Sequence, residues 1–404
     1  MYSFIRLLSF QNRKTIFLII VILIMASPLF SQIDEDVKGL KTSFQAELES
    51  LYNEYDFPGA TAAYILPDGS VETVAVGLAD VENKIKMKPE SRMLAGSIGK
   101  SFVGATVLSL AQEKVLNLDD PISKWLGNEP WFTELPNHDE ITIRQLLNHT
   151  SGLRNHVYEE AFAKSFRKNW QTGKNPFTPK QLISYILKKE PLFQPGKGWS
   201  YSDTGYILIG LIIEKATGNS YYQEVSDRFL EPLNLSKTEP SNSLELENLA
   251  SGYMAADNSF NLPSKTTSSP GVMVWHPGIE WTGGGLISNP GDLVIWAKSL
   301  YEGKAMKGNY KEELLEFVPV SSESDNTQYG IAVALYKSKK YGNIYGHSGW
   351  IPGYSSKLRY YPEYKTAIAF QINTDIGIVD DSTRLFEKME ENLAKIVIDH
   401  IKNK

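Results

Sequence analysis

The chain has 404 residues, a formal net charge of −6 and no cysteine. A folded chain of this length buries roughly 75% of its unfolded surface, so core size is not limiting. The missing cysteine excludes disulfides, thiol catalysis, cysteine–zinc sites and a lipoprotein anchor, and the acidic balance argues against nucleic acid or anionic membrane as partners.

Arg6, Arg13 and Lys14 precede an apolar run, Ile16 to Ala26, and no acidic residue comes before Asp34. A run of about 11 residues fits the ~7–15 of a signal-peptide core and falls short of the ~20 a spanning helix needs. Pro28 ends the run, and Ser31 is a small residue suited to cleavage before Gln32. Residues 1–31 are therefore expected to be an export signal, with an uncleaved anchor as the alternative. Removing them leaves 38 basic against 47 acidic groups and no stable membrane span.

Glu35 to Tyr55 carries Val37, Leu40, Phe44, Leu48 and Leu51 at helical spacing. Ala60–Leu66 and Val71–Gly77 flank a Pro67-Asp68-Gly69 turn and predict a hairpin. Ser97 to Lys114 reads as a buried helix. Asp119 to Asn309 reads as mostly helical, broken by loops rich in proline and glycine. Between Tyr329 and Asn373, "YGIAVALY", "YGNIYGHSG", "SSKLRYYP" and "KTAIAFQIN" predict four strands, and Asp380 to Ile401 a closing helix. Strands at both ends and helices between them imply an α+β fold. The early hairpin and late strands form one antiparallel sheet under the terminal helices. A sheet lobe (about 32–95 and 325–404) and a helical lobe (about 96–324) would enclose a cleft, a favoured place for a ligand.

"MLAGSIGKSFVGA", from Met93 to Ala105, admits two chemistries. Gly99-Lys100-Ser101 could end a phosphate-binding loop, but that motif needs glycine where Leu94 stands and a strand where "ENKIKMKPESRM" runs. The alternative is S-x-x-K, Ser97 to Lys100, at the head of an apolar helix. There the free N–H groups favour negative charge, and residues i and i+3 share a face. Ser165 to Lys168 repeats the pattern in a charged helix and reads as a solvated face. "GHSGW", Gly346 to Trp350, suggests a nucleophile elbow, but it lacks the last glycine and is followed by turn and strand, so Ser348 is a poor nucleophile.

Several segments, in order, resemble the serine β-lactamase and penicillin-binding superfamily, in the branch of class C β-lactamases, DD-carboxypeptidases, esterases and D-aminopeptidases. "GSIGKSF" is similar to its first motif and "ITIRQLLNHTSGL" to a signature segment. "PGKGWSYSDTGYILIGLIIEKATGNSY" is similar to the segment holding Tyr-x-Asn, and "GGGLISNPGDL" and "GHSGWIPGY" to the later blocks. The resemblance implies the β-lactamase/transpeptidase fold, Ser97 as acylated nucleophile, Lys100 as its partner and Tyr201 as proton shuttle to the leaving group. It also implies an oxyanion hole at the N–H groups of Ser97 and Trp350. Asp203, His347, Ser348, Gly349 and Trp350 would contact substrate.

Two departures bear on specificity. Asp203 stands where the family usually has asparagine; ionised aspartate accepts hydrogen bonds, cannot donate them, and can pair with Lys100. His347 stands where lysine is common, and a mostly neutral imidazole grips a carboxylate less firmly. His276-Pro-Gly278 matches the third motif's short pattern, and Tyr341-Gly-Asn343 the second's, by chance. His149 reads as a structural loop residue. Trp275, Trp281 and Tyr354 fit a cleft wall, though buried aromatics more often belong to a core. Scattered histidines give no metal motif, and no cofactor is called for. The expected activity is metal-independent hydrolysis of a small ester, amide or D-amino-acid peptide by an acyl-enzyme. A class C-type β-lactamase or DD-carboxypeptidase is the alternative, and a catalytically silent binding protein on the same fold is the rival from another class.

Overall fold

A computed structural model of the chain describes residues 38–172, 175–321, 326–375 and 384–404. The expected export signal and cleavage point, Glu35 and Val37 of the first helix, and the Asp380 start of the last one lie outside the described residues. Helix α1 covers 38–55 and buries Leu40, Phe44, Leu48 and Leu51. The hairpin follows as β1 (Gly59–Ile65) and β2 (Val71–Asp80), with β3 (Ile85–Lys86) beyond them. Its turn closes where Gly69 N–H donates to Leu66 O.

Strand β4 (Met93–Leu94) leads into a 3-10 turn, Gly96–Gly99, and then α2 (Lys100–Gln112). Ser97 thus lies in a tight turn before the α-helix rather than being its first residue. The next segment holds α3 (Glu160–Thr172), α4 (Asp203–Thr217) and several shorter helical turns. It is less uniformly helical than its sequence suggests, because β5 (Glu239–Pro240), β6 (Thr267–Ser269), β7 (Val272–Met273) and β8 (Leu286–Ser288) interrupt it. Helix α5 (Pro290–Tyr301) also departs from expectation. It packs on β1, β13 (Tyr354–Tyr361) and β14 (Thr366–Ile372) of the main sheet.

The remaining strands are β9 (Val318–Pro319), β10 (Thr327–Tyr329), β11 (Ala334–Ser338) and β12 (Gly342–Ile351), and α6 (Leu385–Lys402) closes the chain. The run "YGIAVALY" is not one strand. Gly330 N–H donates to Val333 O, Ala332 adopts φ 56°, and the chain folds back from β10 to β11. The turn is apolar because it packs onto α2: a Cβ at Gly104 would sit 2.8 Å from the Ala332 Cβ. Hydrophobicity alone cannot distinguish such a buried turn from a buried strand.

The main antiparallel sheet has the order β3-β2-β1-β14-β13-β12-β11-β10-β9. Side chains alternate across a strand, so β1 sends Ala60, Ala62 and Tyr64 to α1 and α6 on one face. It sends Ala63 and Ile65 to the core around α2 and α5 on the other. A second sheet, β4-β8-β5, pairs Met93 with Ser288, and Ala95 N–H donates to Leu286 O. This small sheet brings the glycine run 283–285 against the Ser97 turn.

Candidate active site

The Ser97 turn depends on glycine for close approach. Gly96 has φ 55°, and a Cβ there would lie 2.8 Å from Trp350 N. A Cβ at Gly99 would meet Gly284 O at 2.5 Å, and one at Gly349 would meet Ala95 O at 2.0 Å. The turn is thus wedged between the 283–285 run and β12 without side chains at the contact. From below it is held by Ser101, whose hydroxyl donates to Ile98 O and accepts from Trp296 Nε1 of α5.

Lys100, the first residue of α2, is 0% exposed. A buried ammonium must find acceptors. Its Nζ donates to Ser97 Oγ at 3.0 Å, to Asp203 Oδ1 at 2.5 Å and to Gly283 O, which uses all three of its protons. Asp203 begins α4, where the helix dipole favours an anion. Burial alone would raise its carboxyl, but the charge and hydrogen bond of Lys100 outweigh that and hold it below the usual range. Its Oδ2 accepts from Asn155 Nδ2 at 2.9 Å. Asn155 in turn caps the 156–158 turn through Oδ1 and Val157 N–H. Asn155 was not singled out in the sequence; its visible signal is a cap-forming residue just after the "NHTSGLR" segment.

Tyr201 lies just before Ser202, whose hydroxyl caps α4 and also donates to Arg154 O. The Tyr201 hydroxyl is buried without a well-formed hydrogen bond. Burial first, and Asp203 second, push it well above an ordinary phenol, while the nearby Ser97 side chain opposes the shift; Tyr201 rests as the neutral phenol. Lys100 Nζ stands 5.0 Å from its ring centre. His149 lies buried in its loop behind Tyr201, with Nε2 free of a hydrogen bond among the described residues. It has φ 64°, accepts from Ser200 N–H and Ser202 N–H, and stacks 4.2 Å from the Tyr201 ring. It therefore fixes the segment that carries Tyr201.

Strand β11 begins only at Ala334, opposite Gly346, so from His347 onward β12 pairs only with β13. That leaves one edge of the third-motif segment facing the Ser97 turn. His347 Nδ1 lies 2.6 Å from Ser348 O and Nε2 lies 2.8 Å from the Tyr329 hydroxyl. Burial, with the Lys100 charge next, lowers the ring to about 3. It is a neutral imidazole with both nitrogens engaged, Nδ1–H donating and Nε2 accepting. Tyr329 went unread in the sequence because it ends a strand 18 residues away. The Ser348 hydroxyl accepts from Arg359 Nη2 at 3.1 Å, which leaves it a poor nucleophile. Trp350 is 41% exposed at the mouth.

Ser97, Tyr201, Asp203 and His347 to Trp350 line one cleft of about 590 Å³, between β12 and the segment from α3 to Gly283. Phe162, Phe166, Phe260 and Trp275 form an aromatic wall, and Glu280 also faces the space. Of the aromatics weighed in the sequence, Trp275 lines this cleft. Trp281 borders a smaller cavity, and Tyr354 is core, donating to Ala250 O. His276 caps a 3-10 turn, Tyr341 sits at a strand turn, and Ser165 lies on α3 with exposed Lys168. Among the described residues no three His, Asp or Glu side chains converge as metal ligands would.

The sequence profile of the family described as Beta-lactamase matches residues 36–391. The chain belongs to this β-lactamase family. Penicillin-binding protein 4* of Bacillus subtilis is 29% identical over 349 residues, covering 84% of this chain and 72% of that protein. Protein flp of Staphylococcus aureus is 26% identical over 350 residues, and the chain spans 64% of its length. Among solved structures, a D-stereospecific amidohydrolase from Streptomyces sp. matches with TM-score 0.72 at 29% identity, over 86% of this chain and 97% of that one. D-amino acid amidase from Ochrobactrum anthropi SV3 matches with TM-score 0.73 at 25% identity, over 90% and 99%. The β-lactamase/transpeptidase fold and a hydrolytic function of the serine type follow. No helix among the described residues is long and apolar enough to cross a membrane.

Proposed function

We propose that the chain hydrolyses a small ester or a D-amino-acid amide or peptide through an acyl-enzyme on Ser97. The contact that carries this reading is Lys100 Nζ to Ser97 Oγ at 3.0 Å, on a lysine with no exposure to water. A serine hydroxyl is a weak nucleophile until a neighbour takes its proton, and Lys100 is the basic group in hydrogen-bond contact with it. For this step Lys100 acts as the neutral amine. Ser97 Oγ attacks the substrate carbonyl carbon and its proton goes to Lys100. Tyr201, resting as a phenol, gives its proton to the leaving oxygen or nitrogen and is reprotonated through Lys100. Water then cleaves the acyl ester by the reverse path.

The N–H groups of Ser97 and Trp350 would hold the developing oxyanion, one such donor being worth about 10²–10³-fold. The close packing of Gly96 on Trp350 N supports that pairing. His347 counts against substrates gripped by their carboxylate, so β-lactams and carboxypeptidase substrates are disfavoured. The likeness to proteins named D-stereospecific amidohydrolase and D-amino acid amidase favours amides of D-amino acids. We further read residues 1–31 as a removed export signal and the rest as one catalytic domain with its cleft between a sheet lobe and a helical lobe.

A fluorophosphonate probe tests the nucleophile. One adduct on the Ser97 peptide, lost in Ser97→Ala, is expected; an adduct on Ser348 or Ser165 overturns the assignment. Turnover of a nitrophenyl ester, D-amino-acid amides and a chromogenic cephalosporin ranks the substrate classes, with the cephalosporin expected last. Expression with the native leader should yield extracytoplasmic protein beginning near Gln32.

A further inference from the structure

The cleft wall has an unusual charge inventory. Among the described residues its ionisable groups are Asp203, Glu280, His156, His347 and tyrosines, and no described lysine or arginine lines its surface. Asp203 is fully engaged by Lys100 and Asn155. His347 is neutral, and His156 bonds Thr204 and is lowered to about 4, chiefly by burial. Glu280 is the acid without a partner. Its Oε2 is sealed from water with no hydrogen-bond partner, while the residue as a whole is partly open to the cleft.

An unpaired buried carboxyl is expensive, and native proteins rarely leave one without a reason. The groups that act on Glu280 come from several neighbouring elements: Lys100 from α2, Asp203 from α4, Tyr201 from the loop before α4, and Tyr222 from the helical turn after it. The cation among them already spends its protons on Ser97, Asp203 and Gly283. Among the described residues no group forms a hydrogen bond to Glu280 Oε2, and the hydroxyls of Tyr201 and Tyr222 are likewise without partners. Beside it stands the aromatic wall of Phe162, Phe166, Phe260 and Trp275, which suits an apolar side chain.

We propose that Glu280 is a specificity-determining residue that selects substrates whose acyl part bears a protonated primary amine next to an apolar side chain. Such substrates are amino-acid amides and short peptides with a free amino end. This deepens the reading of the cleft as the acyl site of a serine hydrolase and rests on it. Burial, reinforced by Asp203 and opposed by Lys100, raises the empty carboxyl to about 8. At pH 7 it is then mostly protonated. An arriving ammonium forms the carboxylate–ammonium pair, and the carboxyl proton leaves to solvent. The charge preference is the inverse of a carboxylate-gripping site: an acid for an amine, with no cation on the wall for a carboxylate.

The test uses 2-phenylethylamine, an aliphatic amine protonated at pH 7 like a lysine, and its neutral analogue 2-phenylethanol. Neither is hydrolysed, so calorimetric titration into the full mature chain is independent of whether Ser97 is the nucleophile; that reading stands or falls on the fluorophosphonate adduct. The amine is expected to bind at least about tenfold tighter than the alcohol, a modest return for pairing one buried charge. Glu280→Gln should bring the two within about threefold. Titration of the unaltered protein in two buffers of different ionisation enthalpy should show most of one proton released per amine bound. That arm holds even if the variant fails to fold. Equal binding of the two ligands, no detectable binding of the amine, a preference that survives Glu280→Gln, or binding without proton release would each overturn the proposal.

Discussion

Asp203→Asn installs the residue usual at this position in the family's second motif, and the structure predicts that it harms this protein. Asp203 accepts twice, from Lys100 Nζ at 2.5 Å and from Asn155 Nδ2 at 2.9 Å. An asparagine has one acceptor oxygen. Turned toward Lys100, it presents its NH₂ to the NH₂ of Asn155; turned the other way, it presents NH₂ to the ammonium. Flipping Asn155 moves the conflict to Val157 N–H, which Oδ1 now satisfies at 3.2 Å. One buried donor is left facing a donor in every arrangement, at a cost of about 1–3 kcal/mol. Loss of the ion pair adds to this. Breaking a buried pair costs about 3–5 kcal/mol when one partner is removed outright; here an oxygen still faces Lys100, so a total near 2–4 kcal/mol is expected.

The same geometry supplies the control. With Asn155→Asp added, residue 155 accepts from both Val157 N–H and the new amide at 203, whose oxygen is then free for Lys100. The donor conflict disappears and the net charge of the pair is restored, one residue further from the lysine. Denaturant unfolding of the wild type, both single variants and the double variant should give a favourable coupling energy of about 1–3 kcal/mol. Fluorophosphonate labelling at Ser97 should recover alongside. Additive single effects, or an Asp203→Asn protein as stable as the wild type, would refute the account of Asp203 and Asn155 as a matched acceptor and donor.

Gly349→Ala would put a Cβ 2.0 Å from Ala95 O and push β12 off the Ser97 turn. Labelling should slow by about 10²–10³-fold, the worth of one oxyanion donor, whereas unchanged labelling would dissociate β12 from the reaction. His347 and His156, lowered to about 3 and 4, bind fewer protons folded than unfolded below the ordinary histidine range near 6.5. Their stabilisation is complete above that range and is lost as pH falls toward the folded values. His347→Gln should therefore reduce the stability lost between pH 7 and pH 5 by about 2 kcal/mol, read by denaturant unfolding at both pH values.

Much of this architecture is legible in local pattern. The hairpin around Pro67-Asp68-Gly69 and the strands β12 to β14 follow from short apolar runs and turn chemistry. Ser97 and Lys100 meet because residues three apart share a face. Gly96, Gly99 and Gly284 are visible as glycines, but their purpose, letting three backbones touch, appears only once the strands are assembled. Asn155 reaches Asp203 across 48 residues and Tyr329 reaches His347 across 18. Neither has a periodic signature, since one hydrogen bond constrains one position. The break at Gly330 to Val333 was hidden because a turn packed on α2 must be as apolar as a strand.

Asp203 and His347 make more sense together than apart. A lysine in the third motif would put a second cation near Lys100, with which an acceptor-only residue at 203 could pair only by abandoning its neighbour. With histidine there, held neutral by burial and bonded to Tyr329, no second cation competes at that position for Asp203, which can spend one oxygen on Lys100 and the other on Asn155. The pair then has no net charge to offer a substrate. Two substitutions at a distance thus remove positive potential from one cleft, and Glu280 adds an acid that burial keeps mostly protonated at rest. A substrate recognised by its carboxylate would have to enter against that arrangement. One recognised by an amine, or carrying no charge at all, would not.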